Sequence, residues 1–340
     1  MRILAIESSC DETAVAVLSG QGDVLTLESS LVRSQIDIHQ AYGGVVPEVA
    51  AREHLAYLFP MITQALADAQ VSAADLDALA VTAGPGLAPA LRVGVEAAKA
   101  LAWAWHKPLI PVCHLEGHIY ATWLDTLTPP QFPALALIVS GGHTELVLMR
   151  GHGSFERLGE TIDDAAGEAF DKVAKMLGLP YPGGPQVEQL AKLGNPTAFS
   201  FPRALLDKSN LDFSFAGLKT SVLYKLRENE ASLADAKFRA DIAASFQEAV
   251  IDVLIKKTKR AIVEHSPKSI ILAGGVAANT SLRTRLQTLG AEHQVDVHVP
   301  PFAYALDNAA MIAVAGYYRA LAQNFIDPLV LSANPNLDLV

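Results

Sequence analysis

The feature that most constrains the fold is an internal duplication. The first copy opens with three apolar, strand-like runs, "RILAIES", "TAVAVLS" and "GDVLTLESSLV", which are followed by helix, strand, helix, strand and helix patterns. The same order returns from "PALALIVSGGHTELVLMRG" onwards. Placing Thr13 over Thr144 aligns Ser9 with Ser140. A repeat of this kind predicts two related α/β lobes that face each other across a ligand cleft.

The repeat also predicts the domain boundaries. With 340 residues the chain is long enough for two domains, each with its own core. We expect a first lobe over residues 1–128, a second lobe over residues 129–325 and a C-terminal tail over residues 326–340. The second copy carries an insertion at about 181–241 that is rich in proline, phenylalanine and charged residues.

Composition excludes several classes of protein. Hydrophobic residues make up 51% of the chain, which excludes a disordered protein, and the longest apolar region is interrupted by charges, which argues against a membrane span. We therefore expect a cytoplasmic protein. The only cysteines, Cys10 and Cys113, form no C-x-x-C pair, so a disulfide framework and a four-cysteine zinc site are both excluded. The net charge of −10 repels a nucleic acid at long range, so such a substrate would need a local basic patch or a partner protein.

Two histidines in the first copy suggest a metal site. His114 and His118, in "CHLEGH", are spaced four residues apart at the start of a predicted helix and therefore project from one face. Placing Pro111 over Pro300 aligns His118 with Asp307, so the duplication predicts that Asp307 converges on the two imidazoles from the opposite lobe. Two histidines and one carboxylate suit Zn²⁺ or Fe²⁺. The alternative is a pair of partly buried polar helix residues.

Glycine turns in the second copy suggest a nucleotide site. Glycine lets backbone N–H groups approach phosphate oxygens, and a following helix N-terminus favours negative charge. No G-x-x-x-x-G-K-[ST] loop is present, and each glycine pair alone is more often a simple tight turn. Asp171 lies on a predicted helix, where it would bind ribose hydroxyls or, alternatively, pair with Lys175. The candidate turns contain Ser140, Gly141 and Gly142, then Gly183 and Gly184, then Gly274, Gly275 and Asn279.

The motifs together resemble one known family. The segments "ESSCDETAVAV", "YGGVVPEVAAREH", "TAGPGLAPALRVG", "HLEGH", "LIVSGGHTEL", "LAGGVAANTSLR" and "DNAAMIA" resemble the tRNA N6-adenosine threonylcarbamoyltransferase family of the bacterial TsaD type, in the family's order. The resemblance implies a duplicated actin-like, sugar-kinase-like (ASKHA) fold. It also implies transfer of threonylcarbamoyl from threonylcarbamoyl-AMP to N6 of adenosine 37 in tRNAs that read codons beginning with A, forming t6A.

The resemblance also implies the site residues. The family's metal ligands correspond to His114, His118 and Asp307, which would hold Fe²⁺ or Zn²⁺. Ser9 and Glu12 lie on the equivalent turn of the first lobe, and Glu12 is a candidate to accept the proton lost by the amine; the alternative is a solvated turn carboxylate. The family's substrate contacts correspond to Ile138, Val139, Ser140, Gly141, Gly142, Asp171, Gly184 and Asn279.

Partners follow from the same resemblance and from the charge. The resemblance implies that the first lobe pairs with a metal-free TsaB-type paralogue, joined by a small TsaE-type ATPase. Two Ala-rich apolar helices, "VPEVAAREHLAYLFPMITQALADA" and "LAPALRVGVEAAKALAWAW", are the candidate docking surface, although they would serve an internal core equally well. Candidate tRNA contacts are the basic stretch "IKKTKRAIVEH" and Arg203, Lys208, Lys219 and Lys225, although such side chains are more often a solvated face.

Three other classes of protein were weighed. A zincin metalloprotease places glutamate directly after the first histidine, whereas Glu116 is two residues beyond His114 and about 200° around the helix. A small-molecule kinase of the same fold is the stronger alternative, because the fold does not fix the function. A non-enzymatic paralogue would be expected to lack the metal ligands. The chain departs from the usual family pattern at Cys113, at Ala309 and in the tail "LSANPNLDLV".

Overall fold

A computed structural model describes all 340 residues, and the contacts within the chain divide it into two compact units. The first unit comprises Met1–Pro129, His152–Ser154 and Pro300–Val340, and the second comprises Pro130–Gly151 and Phe155–Val299. Residues 300–340 belong to the first unit, whereas the sequence predicted that residues 129–325 form a single second lobe.

The first unit contains one mixed sheet and its helices. The sheet has the strand order β3-β2-β1-β4-β5, in which β1 is antiparallel to β2, β2 is antiparallel to β3, and β1, β4 and β5 are parallel. The elements up to residue 129 are β1 (Arg2–Glu7), β2 (Glu12–Gln21), β3 (Val24–Ser34), α1 (Ile36–Gln40), α2 (Pro47–Asp68), β4 (Ala78–Gly84), α3 (Ala88–Trp105), β5 (Leu109–Cys113) and α4 (His114–Tyr120).

The second unit repeats this arrangement around a sheet of order β10-β9-β6-β7-β8. Its central strand β6 is antiparallel to β7 and parallel to β9, as β1 is to β2 and β4. The elements are β6 (Ala134–Val139), β7 (Thr144–Gly151), β8 (Ser154–Glu160), α5 (Ala166–Met176), α6 (Gly183–Ala191), α7 (Ala216–Glu228), α8 (Ala236–His265), β9 (Ser269–Ala273), α9 (Thr280–His293) and β10 (Asp296–His298).

Matching strand orders confirm the duplicated α/β architecture. β1, β4, β6 and β9 are buried along almost their whole length, and α3 and α10 both pack on β1 and β4. β3 and β8 lie at the sheet edges and are largely half-buried or exposed. Helix α8 is one continuous helix of 30 residues, of which only the basic end was singled out from the sequence.

The last helix returns to the first unit. Helix α10 (Ala309–Leu321) packs on β1, β2 and β4 and against α4. It is apolar on all sides and buries all but two of its 13 residues, so it needs a cover on more than one face. Asp307, which lies just before this helix, therefore belongs to the same unit as His114 and His118 rather than to the second unit.

The tail also packs on the first unit. Leu331 is buried in its core, and the Asn334 N–H donates to the Ala83 carbonyl oxygen over 2.8 Å. The Gly86 N–H donates to the Pro335 carbonyl oxygen over 3.2 Å, which places the tail on the turn after β4. No helix in the chain combines the length and the apolar composition that a bilayer crossing requires.

Candidate metal centre and nucleotide-binding turns

Helix α4 presents the two histidines. It begins directly after β5, so His114 occupies its first position and His118 follows one turn later on the same side. Both side chains are largely buried, and their rings meet edge to face with centroids 4.6 Å apart. The sequence spacing thus produces the paired imidazoles that it predicted.

Asp307 completes the cluster from the loop before α10. Its Oδ1 lies 3.4 Å from His114 Nε2 and 3.2 Å from His118 Nε2. The neighbouring Asn308 caps α10 by accepting the Met311 N–H over 2.9 Å, and its Nδ2 donates to the Leu306 carbonyl oxygen over 2.7 Å. These bonds fix the backbone on both sides of Asp307. One potential ligand atom from each of the three residues lies within 4.8 Å of the others.

A buried carboxylate orients His114. Glu7 Oε2 lies 3.1 Å from His114 Nδ1 and accepts the Thr82 hydroxyl over 2.6 Å, while Glu7 Oε1 accepts the Ser9 N–H over 2.5 Å. The Ser9 hydroxyl lies 3.2 Å from the same Nδ1. This arrangement turns His114 Nε2 toward Asp307, and carboxylates that contact the other ring nitrogen orient ligand histidines at metal sites in the same way. Glu7 was not among the predicted site residues, although a charged residue at the end of an apolar strand was a signal for it.

The electrostatics of the cluster suit a cation. Burial opposes ionisation of Asp307, but the neighbouring His114 and His118 hold the pKa of its carboxyl far below the usual range. Burial likewise opposes protonation of His114, yet the Asp307 and Glu7 carboxylates raise the pKa of its imidazole well above the usual value. The pocket therefore already favours positive charge between these groups. With two imidazole nitrogens and a carboxylate oxygen converging there, the donor set fits Zn²⁺ or Fe²⁺.

Glu12 lies inside the protein rather than on a solvated turn. Its side chain accepts the Ser34 hydroxyl over 3.0 Å. Burial, together with the charges of Asp307 and Asp11, raises the pKa of Glu12 to about 9. Ser9 is also buried, and its contact is with the imidazole of His114. The two candidate catalytic residues therefore have different surroundings. Ser9 contacts His114, which is a candidate metal ligand. Glu12 has a pKa that is raised first by burial and then by the charge of Asp307, which is another candidate ligand.

In the second unit, the turn after β6 leaves an open backbone surface. Ile138 and Val139 are buried at the end of the strand, where they pair with β7. Ser140 closes the turn: its N–H donates to the His143 carbonyl oxygen over 2.8 Å. Gly141 and Gly142 are exposed, and a Cβ added to either would have no atom within 4 Å. This turn therefore offers backbone groups with free space beside them.

A second turn lies at the start of α6. Asp171 Oδ1 accepts the Gly183 N–H over 2.8 Å, so this carboxylate holds the turn from α5. A Cβ added to Gly183 would approach the Asp171 Cα to 2.8 Å, whereas one added to Gly184 would meet no atom within 4 Å. Gly184 does not have a positive φ, so its lack of a side chain leaves space rather than permitting an unusual backbone.

A third turn connects β9 to α9. Gly274 has a φ of 88°, and a Cβ there would lie 2.5 Å from the Val139 carbonyl oxygen, so glycine lets this turn approach the end of β6. Asn279 caps α9 by accepting the Leu282 N–H over 2.9 Å, and its Nδ2 donates to Gln247 Oε1 over 2.9 Å. The Asn279 side chain therefore already serves the fold of the second unit.

Several cations expected to contact tRNA make internal bonds instead. Lys257, in the basic end of α8, is buried and donates to the Asn210 carbonyl oxygen over 2.6 Å. Arg203 pairs with Asp252 on α8, and Lys219 and Lys225 pair with acidic neighbours. The bonds of Lys257, Arg203 and Lys219 join the insertion to the rest of the second unit, whereas Lys225 pairs with Glu228 inside α7. The predicted basic stretch is therefore not a continuous free patch.

Relatives of nearly equal length carry one name. The profile of the family TsaD, tRNA N6-adenosine threonylcarbamoyltransferase, matches residues 26–314. A tRNA N6-adenosine threonylcarbamoyltransferase of Moorella thermoacetica is 52% identical over 337 residues, which cover 99% of this chain and 97% of that protein. One of Staphylococcus aureus is 51% identical over 337 residues, covering 99% of this chain and 96% of that protein.

Solved structures with low sequence identity share the fold. HypF of T. kodakarensis superposes with a TM-score of 0.66 at 15% identity, covering 97% of this chain and 49% of HypF. The ROK hexokinase of Thermus thermophilus gives a TM-score of 0.53 at 14% identity, covering 95% of this chain and 100% of that one. At such identities the likeness shows the fold alone, and it confirms the ASKHA class.

Proposed function

The chain belongs to the tRNA N6-adenosine threonylcarbamoyltransferase family, and we propose that it transfers threonylcarbamoyl from threonylcarbamoyl-AMP to N6 of adenosine 37 in tRNAs that read codons beginning with A. The near full-length identity to transferases of that name carries this proposal, and it makes the chain a transferase that forms t6A. The kinase alternative rests on a shared fold alone.

The proposed chemistry is an attack by the exocyclic amine of adenine on the carbamoyl carbon. A new C–N bond forms, the C–O bond to the phosphate breaks, and AMP leaves with that electron pair. A bound Zn²⁺ or Fe²⁺ would supply a Lewis acid for the oxygens of the threonylcarbamoyl group. His114, His118 and Asp307 would hold that ion, and Glu7 and Ser9 keep His114 oriented for it.

Glu12 is the proposed acceptor of the amine proton. Its raised pKa favours holding a proton, and the negative charge of Asp307 contributes to that rise. A cation at Asp307 would offset this charge and thereby favour the carboxylate form, which is the form a proton acceptor needs. Ser9 acts in this account as a positioning residue, because its hydroxyl contacts His114.

The AMP half is proposed to bind the second unit. The open space beside Gly141, Gly142 and Gly184 admits phosphate or sugar atoms close to backbone N–H groups. Asp171 holds the turn that carries Gly184, and it has a second carboxylate oxygen for a ribose hydroxyl. The remaining proposed contacts come from Ile138, Val139, Ser140 and Asn279.

Partners form part of the proposal. The groove between α2 and α3 is lined by apolar side chains together with Arg92 and Glu96. Leu55, Phe59 and Trp103 on these two helices remain 64%, 50% and 70% exposed. We propose that a TsaB-type paralogue covers this surface, that a TsaE-type ATPase joins the pair, and that the complex works in the cytoplasm. Since the chain carries a net charge of −10, firm tRNA binding is expected only with the paralogue. Equal tRNA affinity and turnover without the paralogue would contradict this.

The test is direct formation of the modified nucleoside. The protein, its partners, tRNA and threonylcarbamoyl-AMP are incubated, and digested tRNA is analysed by liquid chromatography and mass spectrometry. The proposal predicts t6A and an equal amount of AMP, with adenosine 37 as the only modified position. AMP release without t6A, or no product from a metal-loaded complex, would contradict it.

A further inference from the structure

Glu116 is a fully buried carboxylate that the proposed reaction leaves without a role. It lies between His114 and His118 in the sequence, about 200° around α4 from His114, so it faces away from the metal cluster. A buried carboxylate is costly unless it is paired. Its partner is Arg319 on α10, whose Nε and Nη2 both lie 2.7 Å from Glu116 Oε2.

The ion pair joins the two helices that carry the metal-ligand candidates. Helix α4 holds both imidazoles, and α10 begins two residues after Asp307. The same helices also meet at Gly117, where an added Cβ would lie 2.7 Å from Ile312 Cδ1 and 3.2 Å from Met311 Cγ. The backbone of α4 therefore approaches the first turn of α10 closely, at the residue that follows Glu116.

These two contacts lie at opposite ends of α10. Ile312 is in its first turn and Arg319 in its last turn, which are separated by about 10 Å along the helix axis. On α4 the contacts are made by the consecutive residues Glu116 and Gly117, so one turn of α4 is attached to both ends of α10. This attachment restricts the separation of the two helices and the sliding of one past the other. The position of α4 against α10 sets where the imidazoles lie relative to Asp307.

We infer that the Glu116–Arg319 ion pair positions the metal ligands by locking α4 against α10. Both are positioning residues, because neither belongs to the cluster of candidate ligands. The inference rests on the metal centre of the proposed function. Apolar residues of similar volume often stabilise a core as well as a buried ion pair does. Stability alone therefore does not explain the Glu116–Arg319 pair, whereas a role in positioning the ligands does.

The test compares Zn²⁺ affinity and Co²⁺ spectra of the full-length metal-free protein and its variants. Glu116→Gln keeps the shape of the side chain but removes its charge, and we expect about tenfold weaker Zn²⁺ binding together with a changed Co²⁺ d–d spectrum. Arg319→Lys keeps the charge but loses the two-nitrogen fork, so it should fall between wild type and Glu116→Gln.

A matched control is available in the same unit. Glu28 accepts hydrogen bonds from Arg2 Nε (2.7 Å) and Nη2 (3.0 Å), and this pair joins β1 to β3 rather than α4 to α10. Glu28→Gln should leave Zn²⁺ affinity and the Co²⁺ spectrum unchanged even if the protein melts at a lower temperature. A loss of metal binding in this control equal to that of Glu116→Gln would make the effect one of general stability and overturn the inference.

If Glu116→Gln does not fold, the double variant Glu116→Met with Arg319→Met decides the question, because it leaves no unpaired charge. Its Zn²⁺ affinity should stay below that of wild type, since two flexible side chains do not reproduce the fork. Wild-type affinity and spectrum in a folded Glu116→Gln or double variant would overturn the inference and leave the metal centre intact. Failure of the wild-type protein to bind Zn²⁺ or Co²⁺ would instead overturn the metal centre and the inference together.

Discussion

The two units carry candidate sites that are built in different ways. In the first unit, two buried histidines and the half-buried Asp307 form the candidate metal cluster, and Glu7 orients His114. In the second unit, the candidate nucleotide site consists mainly of backbone turns, where Gly141, Gly142 and Gly184 leave open space. The candidate site of the first unit depends on the chemical identity of a few potential ligand atoms. The candidate site of the second unit depends on space that no side chain fills. Substitutions should therefore fail by different physical routes in the two units.

The largest effect is expected at the metal cluster. His118→Ala removes an imidazole that lies 3.2 Å from Asp307, so t6A formation should fall by at least about 10³-fold while AMP binding stays intact. His293→Ala, at the end of α9 in the other unit, is the control and should keep wild-type activity. Near-normal turnover by His118→Ala would contradict a catalytic role for the first unit's cluster, and with it the proposed difference between the two units.

Glu12 tests whether a buried carboxylate in the first unit contributes to proton transfer. Glu12→Gln should lower kcat by about 10²-fold with little change in the KM for threonylcarbamoyl-AMP, because the amide keeps the size of the side chain but accepts no proton. Single-turnover rates of t6A formation give the value. An unchanged kcat would exclude Glu12 as the proton acceptor, whereas an altered KM alone would assign it to binding.

The open space beside Gly184 is the corresponding test in the second unit. Gly184→Val fills space that contains no protein atom within 4 Å of the added Cβ, so AMP affinity should fall by about tenfold while Zn²⁺ affinity is unchanged. Gly217→Val, at an equally open glycine on α7, controls for valine in a helix of the same unit. Wild-type AMP affinity, measured by calorimetry, would count against this placement of the nucleotide.

The smallest effect is expected from an ion-pair network that supports the second unit. Asp252 on α8 pairs with Arg203 and Arg285. Although burial opposes its ionisation, Arg285 and Arg203 lower the pKa of its carboxyl. A lowered folded-state pKa stabilises the protein above the unfolded-state pKa of about 4, and this contribution is lost as the pH falls through the folded-state value.

Asp252→Asn should therefore lower the free energy of unfolding by about 1 kcal/mol at neutral pH, and by less below about pH 4. Urea unfolding at several pH values measures this, and the exposed Asp207→Asn provides the baseline. Metal affinity should not change. A deficit that is equally large in acid would mean that packing, rather than charge, explains the effect.

The sequence predicted the parts of the fold that follow from local pattern. Apolar periodicity and the repeat predicted the paired sheets, and the spacing of His114 and His118 predicted their shared face, because helix geometry alone determines it. The position of Asp307 in the first unit was not predicted, because it depends on where the apolar helix α10 finds a buried surface. Glu7 was missed since its role depends on β1 lying beside β4 and near α4.

The central claim is that His114, His118 and Asp307 form one metal site, and metal analysis of Asp307→Ala tests it most directly. Wild-type and variant proteins are freed of metal, titrated with Zn²⁺ and, anaerobically, with Fe²⁺, and then assayed for bound metal by mass spectrometry. The account predicts one ion per wild-type chain and more than about 100-fold weaker binding in folded Asp307→Ala. Full occupancy of the variant at wild-type affinity would contradict the account.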